Sequence, residues 1–227
     1  LPFVSIDNGK AKALISLYGG QVLSFQPADS NNDLMFCSEH AYYQQGKAIK
    51  GGIPICWPWF GADPEGKGRP AHGFARNSMW QLSATTTTAT DANIVTLSLC
   101  DSDSSRTLWP YAFELVLEIT IAESLTLTLI TRNKSGQPFT ITQALHTYFQ
   151  IGNITQTTVA GLDRVSYLDK VDNFAQKSQS GEISITREVD RVYTDFSGEL
   201  LINDAALARQ IHINSSGSNT SVVWNPW

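Results

Sequence analysis

His146 is the first candidate for proton transfer in this chain of 227 residues. An imidazole changes its charge near neutral pH, so it can donate or accept a proton as a general acid or base. The alternating segment Phe139–Ile151 predicts a strand in which His146 and Tyr148 share a polar face. His146 is therefore expected on that face rather than in the main core. A surface histidine or a hydrogen-bonded structural histidine is the alternative interpretation.

Lys50, His72 and Arg76 belong to a loop segment in which glycines, prolines and aromatic rings replace any regular alternation. Two cations and an imidazole could together hold an anionic group such as phosphate, because ammonium and guanidinium donors suit its oxygens. The alternative is that the two cations pair with surface carboxylates.

The same segment contains Trp57, Trp59 and Phe60. Their rings could form a stacking platform for a sugar, or they could cap one end of the core, and packing is favoured for each ring taken singly. Asp190, further along the chain, could accept hydrogen bonds from substrate hydroxyls, or it could be an ordinary solvated loop carboxylate.

The sequence pattern predicts that the segments that position these candidate residues are β-strands. Phe113–Ile121 and Leu125–Thr131 alternate apolar and polar residues across a short turn, which predicts a hairpin. Further short strands are predicted at 11–17, 21–25, 94–99, 153–159, 182–186, 191–195, 199–202, 209–213 and 220–224. No long amphipathic helix is predicted, although Asp204–Arg209 could form one or two turns. The pattern indicates an antiparallel all-β fold, either a sandwich or a barrel, with residues 1–227 in a single domain.

Composition narrows the function classes. The net charge of −5 argues against a nucleic-acid partner, and no apolar run approaches the ~18 residues that a membrane span needs. Cys37, Cys56 and Cys100 are odd in number and widely spaced, which favours reduced thiols in a cytoplasmic protein over disulfides or a zinc site. Phosphate-loop, dinucleotide, zinc-protease and α/β-hydrolase motifs do not occur in the sequence.

Five motifs occur in an order that resembles one family. They are Lys50–Gly61, His72–Asn77, Ala144–Phe149, Glu188–Tyr193 and Val222–Trp227. Together they resemble the hexose-6-phosphate mutarotases, or glucose-6-phosphate 1-epimerases, of the galactose-mutarotase superfamily. The resemblance covers nearly the whole chain.

This resemblance implies a galactose-mutarotase-like β-supersandwich and an isomerase that interconverts the α and β anomers of an aldohexose 6-phosphate. It implies no metal and no other cofactor. The expected partner is a small-molecule sugar phosphate, and we expect a cytoplasmic monomer without nucleic-acid or membrane partners.

The resemblance also implies roles for individual residues. His146 corresponds to the histidine that protonates the ring oxygen, and His72 to one that contacts the sugar. Lys50 and Arg76 correspond to the residues that hold the phosphate, and Asp190 to the acidic residue that accepts hydrogen bonds from sugar hydroxyls.

Two departures from the family pattern bear on these roles. Many relatives have Arg at the position of Lys50, and lysine cannot form the bidentate fork to phosphate. The family's catalytic base is a Glu that follows the Asn-Pro-Trp motif, whereas this sequence ends at Trp227. We therefore expect a chain that lacks C-terminal strands and its base. Glu114 and Glu118 lie in a regular strand and are not assigned that role.

Two alternatives to mutarotation of a sugar phosphate stay open. One is a carbohydrate-binding or sugar-phosphate-binding protein without catalysis. The other is an aldose mutarotase that is indifferent to phosphate.

Overall fold

The computed structural model describes all residues from Leu1 to Trp227, which divide into two compact units. The first unit is Leu1–Gln150 and the second is Ile151–Trp227. All the strand pairs inside the sheets are antiparallel, as alternation predicts. No helix has the length and apolar character needed to cross a membrane. The assignment of the whole chain to a single domain stays a prediction.

The first unit contains a three-stranded sheet, a four-stranded sheet and a short strand pair. The three-stranded sheet is a meander of β1 (Phe3–Asp7), β2 (Ala11–Ser16) and β3 (Gln21–Pro27). The strand pair joins β4 (Ile55–Cys56) to a strand far along the chain, β9 (Ala144–Leu145). The four-stranded sheet runs in order through β5 (Gln81–Thr87), β6 (Asn93–Cys100), β7 (Phe113–Ile121) and β8 (Leu125–Asn133). A six-residue helix, α1 (Asp103–Leu108), connects β6 to β7.

The core of the first unit forms where the apolar face of β7 meets the loop segment between β3 and β5. Every second residue of β7 is buried, so the predicted alternation of Phe113–Ile121 and its hairpin with β8 are confirmed. Trp57 and Trp80 from outside that hairpin are also fully buried. A continuous apolar cluster of this kind supplies most of the favourable free energy of folding.

The second unit contains two four-stranded sheets. One has the order β13 (Ile183–Ser184), β10 (Thr157–Ala160), β15 (Leu200–Asp204), β16 (Arg209–Ile213). The other has the order β12 (Ala175–Ser178), β11 (Ser166–Asp169), β14 (Val189–Tyr193), β17 (Ser221–Asn225). The possible helical turns at Asp204–Arg209 are instead a four-residue turn that closes the β15–β16 hairpin.

Candidate active site

The segment that carries His146 lies between two other stretches of the first unit. The His146 N–H donates to the Pro54 carbonyl over 3.0 Å, and the Tyr148 N–H donates to the Gly52 carbonyl over 2.9 Å. On the opposite side, the Phe36 N–H donates to the Tyr148 carbonyl over 2.9 Å. Because both edges of the segment are bonded, the backbone at His146 is fixed from two sides.

The strand predicted over Phe139–Ile151 is wrong in its extent. Only Ala144–Leu145 is a strand, because the stretch it pairs with contains Pro54 and Pro58. A proline carbonyl can accept a hydrogen bond, but its nitrogen has no hydrogen to donate, so half of the ladder cannot form. Leu145, expected on the face opposite His146, is 39% exposed.

The predicted pairing of His146 with Tyr148 on one face is confirmed. The two rings stack with their centroids 4.6 Å apart and their planes 22° from parallel, and both residues are half-buried. Burial raises the pKa of the Tyr148 hydroxyl, while the positive charge of Arg76 works in the opposite direction. Tyr148 therefore stays neutral at physiological pH and limits how the His146 ring can turn.

His72 is held by a loop whose two ends bond to each other. The His72 N–H donates to the Gly61 carbonyl over 2.6 Å, and the Gly61 N–H donates to His72 Nδ1 over 3.1 Å. A nitrogen that accepts a hydrogen bond carries no proton, so the neutral ring that fits this geometry is protonated on Nε2. His72 therefore presents a donor at the end of the ring away from Gly61.

The two imidazoles lie close together. The ring centroids of His72 and His146 are 6.2 Å apart in an edge-to-face arrangement, and the Phe60 ring lies 5.1 Å from that of His72. Phe60 is half-buried, so it borders the histidines without belonging entirely to the core. The structure thus brings together two residues that stand 74 positions apart in the sequence, 72 and 146.

Arg76 lies on a short 3-10 turn, Ala75–Asn77, that directly follows the His72 loop. Its Nη2 donates to the Ala71 carbonyl over 2.9 Å, whereas its Nε is buried and has no hydrogen-bond partner. Arg76 takes part in none of the ion pairs of the structure. The alternative that Arg76 neutralises a surface carboxylate is therefore wrong, and its guanidinium keeps donors available for an anion.

The start of this turn comes very close to Trp57. The Trp57 carbonyl accepts hydrogen bonds from the N–H groups of Phe74 and Ala75, and Gly73 lies beside it with a positive φ of 70°. A Cβ atom on Gly73 would lie 2.0 Å from the Trp57 carbonyl oxygen. Only glycine fits both the backbone conformation and the space.

We expect Gly73→Ala to destabilise the protein by more than about 2 kcal/mol, because left-handed strain adds to a clash with backbone atoms. Gly68→Ala is the matched control, since Gly68 has a φ of 74° and no atom within 4 Å of its Cβ position. That control should cost about 1 kcal/mol. Urea titration of both variants measures the difference, and equal losses would contradict the close approach.

The two tryptophans of the loop are structural. Trp57 is fully buried and Trp59 is 3% exposed, so neither ring is available to stack on a sugar. The Trp57 ring contacts those of Phe74, Trp109 and Phe113 at centroid distances of 5.7, 5.0 and 4.5 Å. The packing interpretation is confirmed for both tryptophans.

Cys56 is a buried thiol beneath the site, and burial raises its pKa to about 11, with Arg76 lowering it in part. A pKa that is raised in the folded state contributes stability below the pKa of the unfolded thiol, near 9, and that contribution disappears as pH rises toward 11. We expect the free energy of unfolding to fall by about 2–3 kcal/mol more between pH 9 and 11 in the wild type than in Cys56→Ala. If the free energy of unfolding fell equally in the wild type and in Cys56→Ala over this pH range, the raised pKa of Cys56 would be contradicted.

Lys50 is exposed and forms no ion pair, so it too is not neutralised by a surface carboxylate. Its carbonyl accepts a hydrogen bond from the Ser38 N–H over 3.0 Å. It lies four residues before Pro54, the partner of His146, which is at most about 13 Å of extended chain. The Lys50 side chain is thus held in position less firmly than that of Arg76, which is hydrogen-bonded to the Ala71 carbonyl.

Asp190 belongs to the second unit, on strand β14. It is not a solvated loop carboxylate, because its side chain is only 15% exposed. Lys170 Nζ lies 2.5 Å from its Oδ2, whereas its Oδ1 is buried without a hydrogen-bond partner. A buried acceptor without a donor is costly, which favours a hydrogen-bonding ligand at Oδ1 over a purely structural role.

Sequence reasoning placed Tyr148 beside His146, but it did not assign Phe60 as a ring neighbour of His72. The signal for Tyr148 was the two-residue spacing from His146, whereas the contact of Phe60 with His72 depends on a loop closure that no periodicity reveals.

Comparisons with known proteins decide the family. A family model described as aldose 1-epimerase matches residues 2–227. The chain belongs to the aldose 1-epimerase family. The resemblance carried by the five motifs is confirmed, and the chain is an isomerase of the aldose 1-epimerase type.

Two similar relatives bear the name "Putative glucose-6-phosphate 1-epimerase". The relative from Escherichia coli strain K12 is 35% identical over all of this chain and 74% of its own length. The relative from Cenchrus ciliaris is 36% identical over 95% of this chain and 67% of its own length.

Comparison with solved structures identifies the fold. A crystal structure from Salmonella typhimurium, described as a "putative mutarotase", superimposes with a TM-score of 0.91 at 32% identity, over 99% of this chain and 74% of that one. A galactose mutarotase related enzyme from Lactobacillus acidophilus has a TM-score of 0.81 at 16% identity, over 98% and 80% of the two chains. The expected galactose-mutarotase-like, antiparallel all-β fold of this aldose 1-epimerase family member is therefore confirmed.

Proposed function

We propose that the protein interconverts the α and β anomers of an aldohexose 6-phosphate. The observation that carries this proposal is the arrangement of His72, His146 and Arg76. Two imidazoles lie 6.2 Å apart next to a guanidinium that has a buried, unpartnered Nε and no carboxylate partner. The names of the relatives from Escherichia coli and Cenchrus ciliaris support the 6-phosphate as part of the substrate.

His146 is the general acid in this proposal. Ring opening breaks the C1–O5 bond, so O5 must gain a proton while the hydroxyl on C1 loses one and becomes the aldehyde oxygen. His146 donates the proton to O5, and after rotation about C1–C2 it takes the proton back as O5 attacks the other face of C1. Such a general acid contributes about 10²–10⁴-fold to the rate.

The other residues bind and orient the sugar. His72 donates a hydrogen bond from Nε2 to a sugar hydroxyl. For Asp190 of the second unit, the buried Oδ1 without a hydrogen-bond partner supports the acceptor role that the family resemblance implies. These contacts hold the sugar in one orientation, which is a source of rate enhancement distinct from proton transfer. The family resemblance assigns the base to a Glu that follows the Asn-Pro-Trp motif, and the proposal keeps that assignment.

Arg76 and Lys50 hold the 6-phosphate. Arg76 is the main contact, because its guanidinium can direct two parallel N–H groups at phosphate oxygens. Lys50 adds a mobile point charge from an exposed position. A substrate without phosphate leaves the Nε of Arg76 buried and unpaired, which costs free energy and favours the phosphorylated sugar.

The test uses a protein that contains the assigned Glu and follows the anomer exchange of glucose 6-phosphate and of glucose, at equal concentrations, by two-dimensional NMR exchange spectroscopy. The proposal predicts that the protein accelerates exchange of glucose 6-phosphate far more than that of glucose. Equal acceleration of both would establish an aldose mutarotase indifferent to phosphate. Binding of glucose 6-phosphate with no acceleration would establish a sugar-phosphate-binding protein, and either outcome would overturn the proposal.

A further inference from the structure

A buried arginine, Arg69, lies at the centre of the loop that presents His72. Its side chain is only 6% exposed, and all three of its guanidinium nitrogens are engaged. Nε donates to Asp63 Oδ1 over 2.9 Å, Nη1 donates to the Leu108 carbonyl over 3.1 Å, and Nη2 contacts both Asp63 and Glu65. An arginine satisfied in this way is a fixed part of the structure.

Asp63 completes this arrangement from within the same loop. Its carboxylate accepts hydrogen bonds from the backbone N–H groups of Glu65, Lys67 and Arg69, at 3.1, 2.7 and 3.1 Å. The hydrogen bond from the Arg69 side chain is the largest of the influences that hold the pKa of Asp63 well below its usual range. Asp63 is therefore ionised throughout the neutral range, and its two oxygens tie together the backbone of residues 63–69.

Arg69 also fastens the loop to the core. Its guanidinium carbon lies 4.3 Å above the centre of the Trp59 ring, and Trp59 Nε1 donates to the carbonyl of Pro70 over 3.0 Å. Leu108, whose carbonyl Arg69 engages, is the last residue of α1, where a helix has unpaired carbonyls. The loop is thus anchored at two places immediately before His72.

His72 needs such anchoring. It is a non-glycine residue with a φ of 65°, a strained conformation that persists only where the surroundings impose it. The two hydrogen bonds between His72 and Gly61 depend on the loop ends staying together, and they set the tautomer of the ring.

We propose that Arg69 is a positioning residue for His72. The Asp63–Arg69 pair closes the loop between Gly61 and His72, keeps the Gly61 N–H on His72 Nδ1, and so keeps the proton on Nε2 for the substrate. The expected effect of Arg69 on the rate of anomer exchange rests on the proposed function. Its expected effect on the tautomer of His72 depends only on the fold.

The tautomer is tested directly by long-range ¹⁵N–¹H correlation spectra of the histidine rings, with the signals of His72 identified from a His72→Gln sample. The wild type should show the Nε2–H pattern for His72, and Arg69→Met should show an average of the two tautomers. Lys67→Met is the matched control, because Lys67 is an exposed cation of the same loop that pairs only with Glu65. An unchanged His72 pattern in folded Arg69→Met would overturn the proposal, whatever the protein's activity.

A double-mutant cycle of Arg69 and His72 distinguishes an effect of Arg69 on the rate through His72 from an effect through general destabilisation of the protein. We expect Arg69→Met to lower kcat/KM for anomer exchange of glucose 6-phosphate by about 10- to 100-fold, and Arg69→Lys to restore little of it. In a His72→Ala background the same substitution should change the rate by less than about twofold, because coupled residues are not additive. Equal effects of Arg69→Met in both backgrounds would overturn the role through His72, and so would a normal rate in folded Arg69→Met.

Discussion

His146→Gln is expected to lower kcat for anomer exchange of glucose 6-phosphate by about 10²–10⁴-fold, because glutamine cannot deliver a proton to the ring oxygen. Glutamine keeps a polar side chain of similar length, so the stack against Tyr148, with its 4.6 Å centroid distance, is disturbed less than by alanine. The affinity for the sugar phosphate should change little, since the phosphate contacts are made by other residues. The loss therefore appears in kcat rather than in KM.

His40→Gln is the control for this substitution, because His40 is an exposed histidine of the same unit. It should retain the wild-type exchange rate. Saturation kinetics measured by NMR exchange for both variants, with isothermal titration calorimetry for binding, checks the prediction. An exchange rate of His146→Gln within threefold of the wild type would remove the general acid from the proposed mechanism.

Trp57→Ala is expected to reduce the free energy of unfolding by about 3–5 kcal/mol, because it empties a fully buried aromatic position. That is a large part of the ~5–15 kcal/mol that stabilises a typical domain. The ring lies between Phe113 on the core sheet and Phe74 in the segment that leads from His72 to Arg76. Loss of the Trp57 ring should also make the segment from His72 to Arg76 less rigid.

Trp57→Phe should cost only about 1–2 kcal/mol, since it removes less volume. The indole Nε1 of Trp57 is buried and has no hydrogen-bond partner, so its removal breaks no hydrogen bond. Urea titration of the two variants measures the contrast. A loss below about 1 kcal/mol for Trp57→Ala would show that the ring is not a core residue, contrary to its burial.

The regular strands were the most predictable part of the fold. In Phe113–Ile121 every second residue is apolar and buried, and Val116 is the one buried residue of the opposite face, which is the pattern of a strand that covers a core mainly with one face. Strands β11 and β12 were missed, because Ser166–Asp169 and Ala175–Ser178 are short and mostly polar. Helix α1 was also missed, although Ser102 and Ser105 form a capping box that marks its start.

The placement of His146 was predictable from the sequence, whereas the geometry around it was not. The two-residue period of a strand predicted that His146 lies beside Tyr148. The two rings do stack, even though the predicted long strand does not form. The approach of His72 to His146 depends on a loop in which Arg69 bonds to Asp63, six residues away, and to Leu108, 39 residues away. Such contacts leave no periodic signal in the sequence, and in the sequence Asp63 and Arg69 belong to an ordinary charged turn.

The most direct test of the central claim, mutarotation of an aldohexose 6-phosphate with Arg76 on the phosphate, is the ratio of kcat/KM for glucose 6-phosphate to that for glucose. The wild type is compared with Arg76→Ala and with Arg132→Ala, an exposed arginine paired with Glu114. We predict that Arg76→Ala lowers kcat/KM for glucose 6-phosphate by about 10- to 100-fold and leaves that for glucose within threefold. Arg132→Ala should leave both unchanged. An equal loss for both sugars in Arg76→Ala, or no loss for either, would contradict the account.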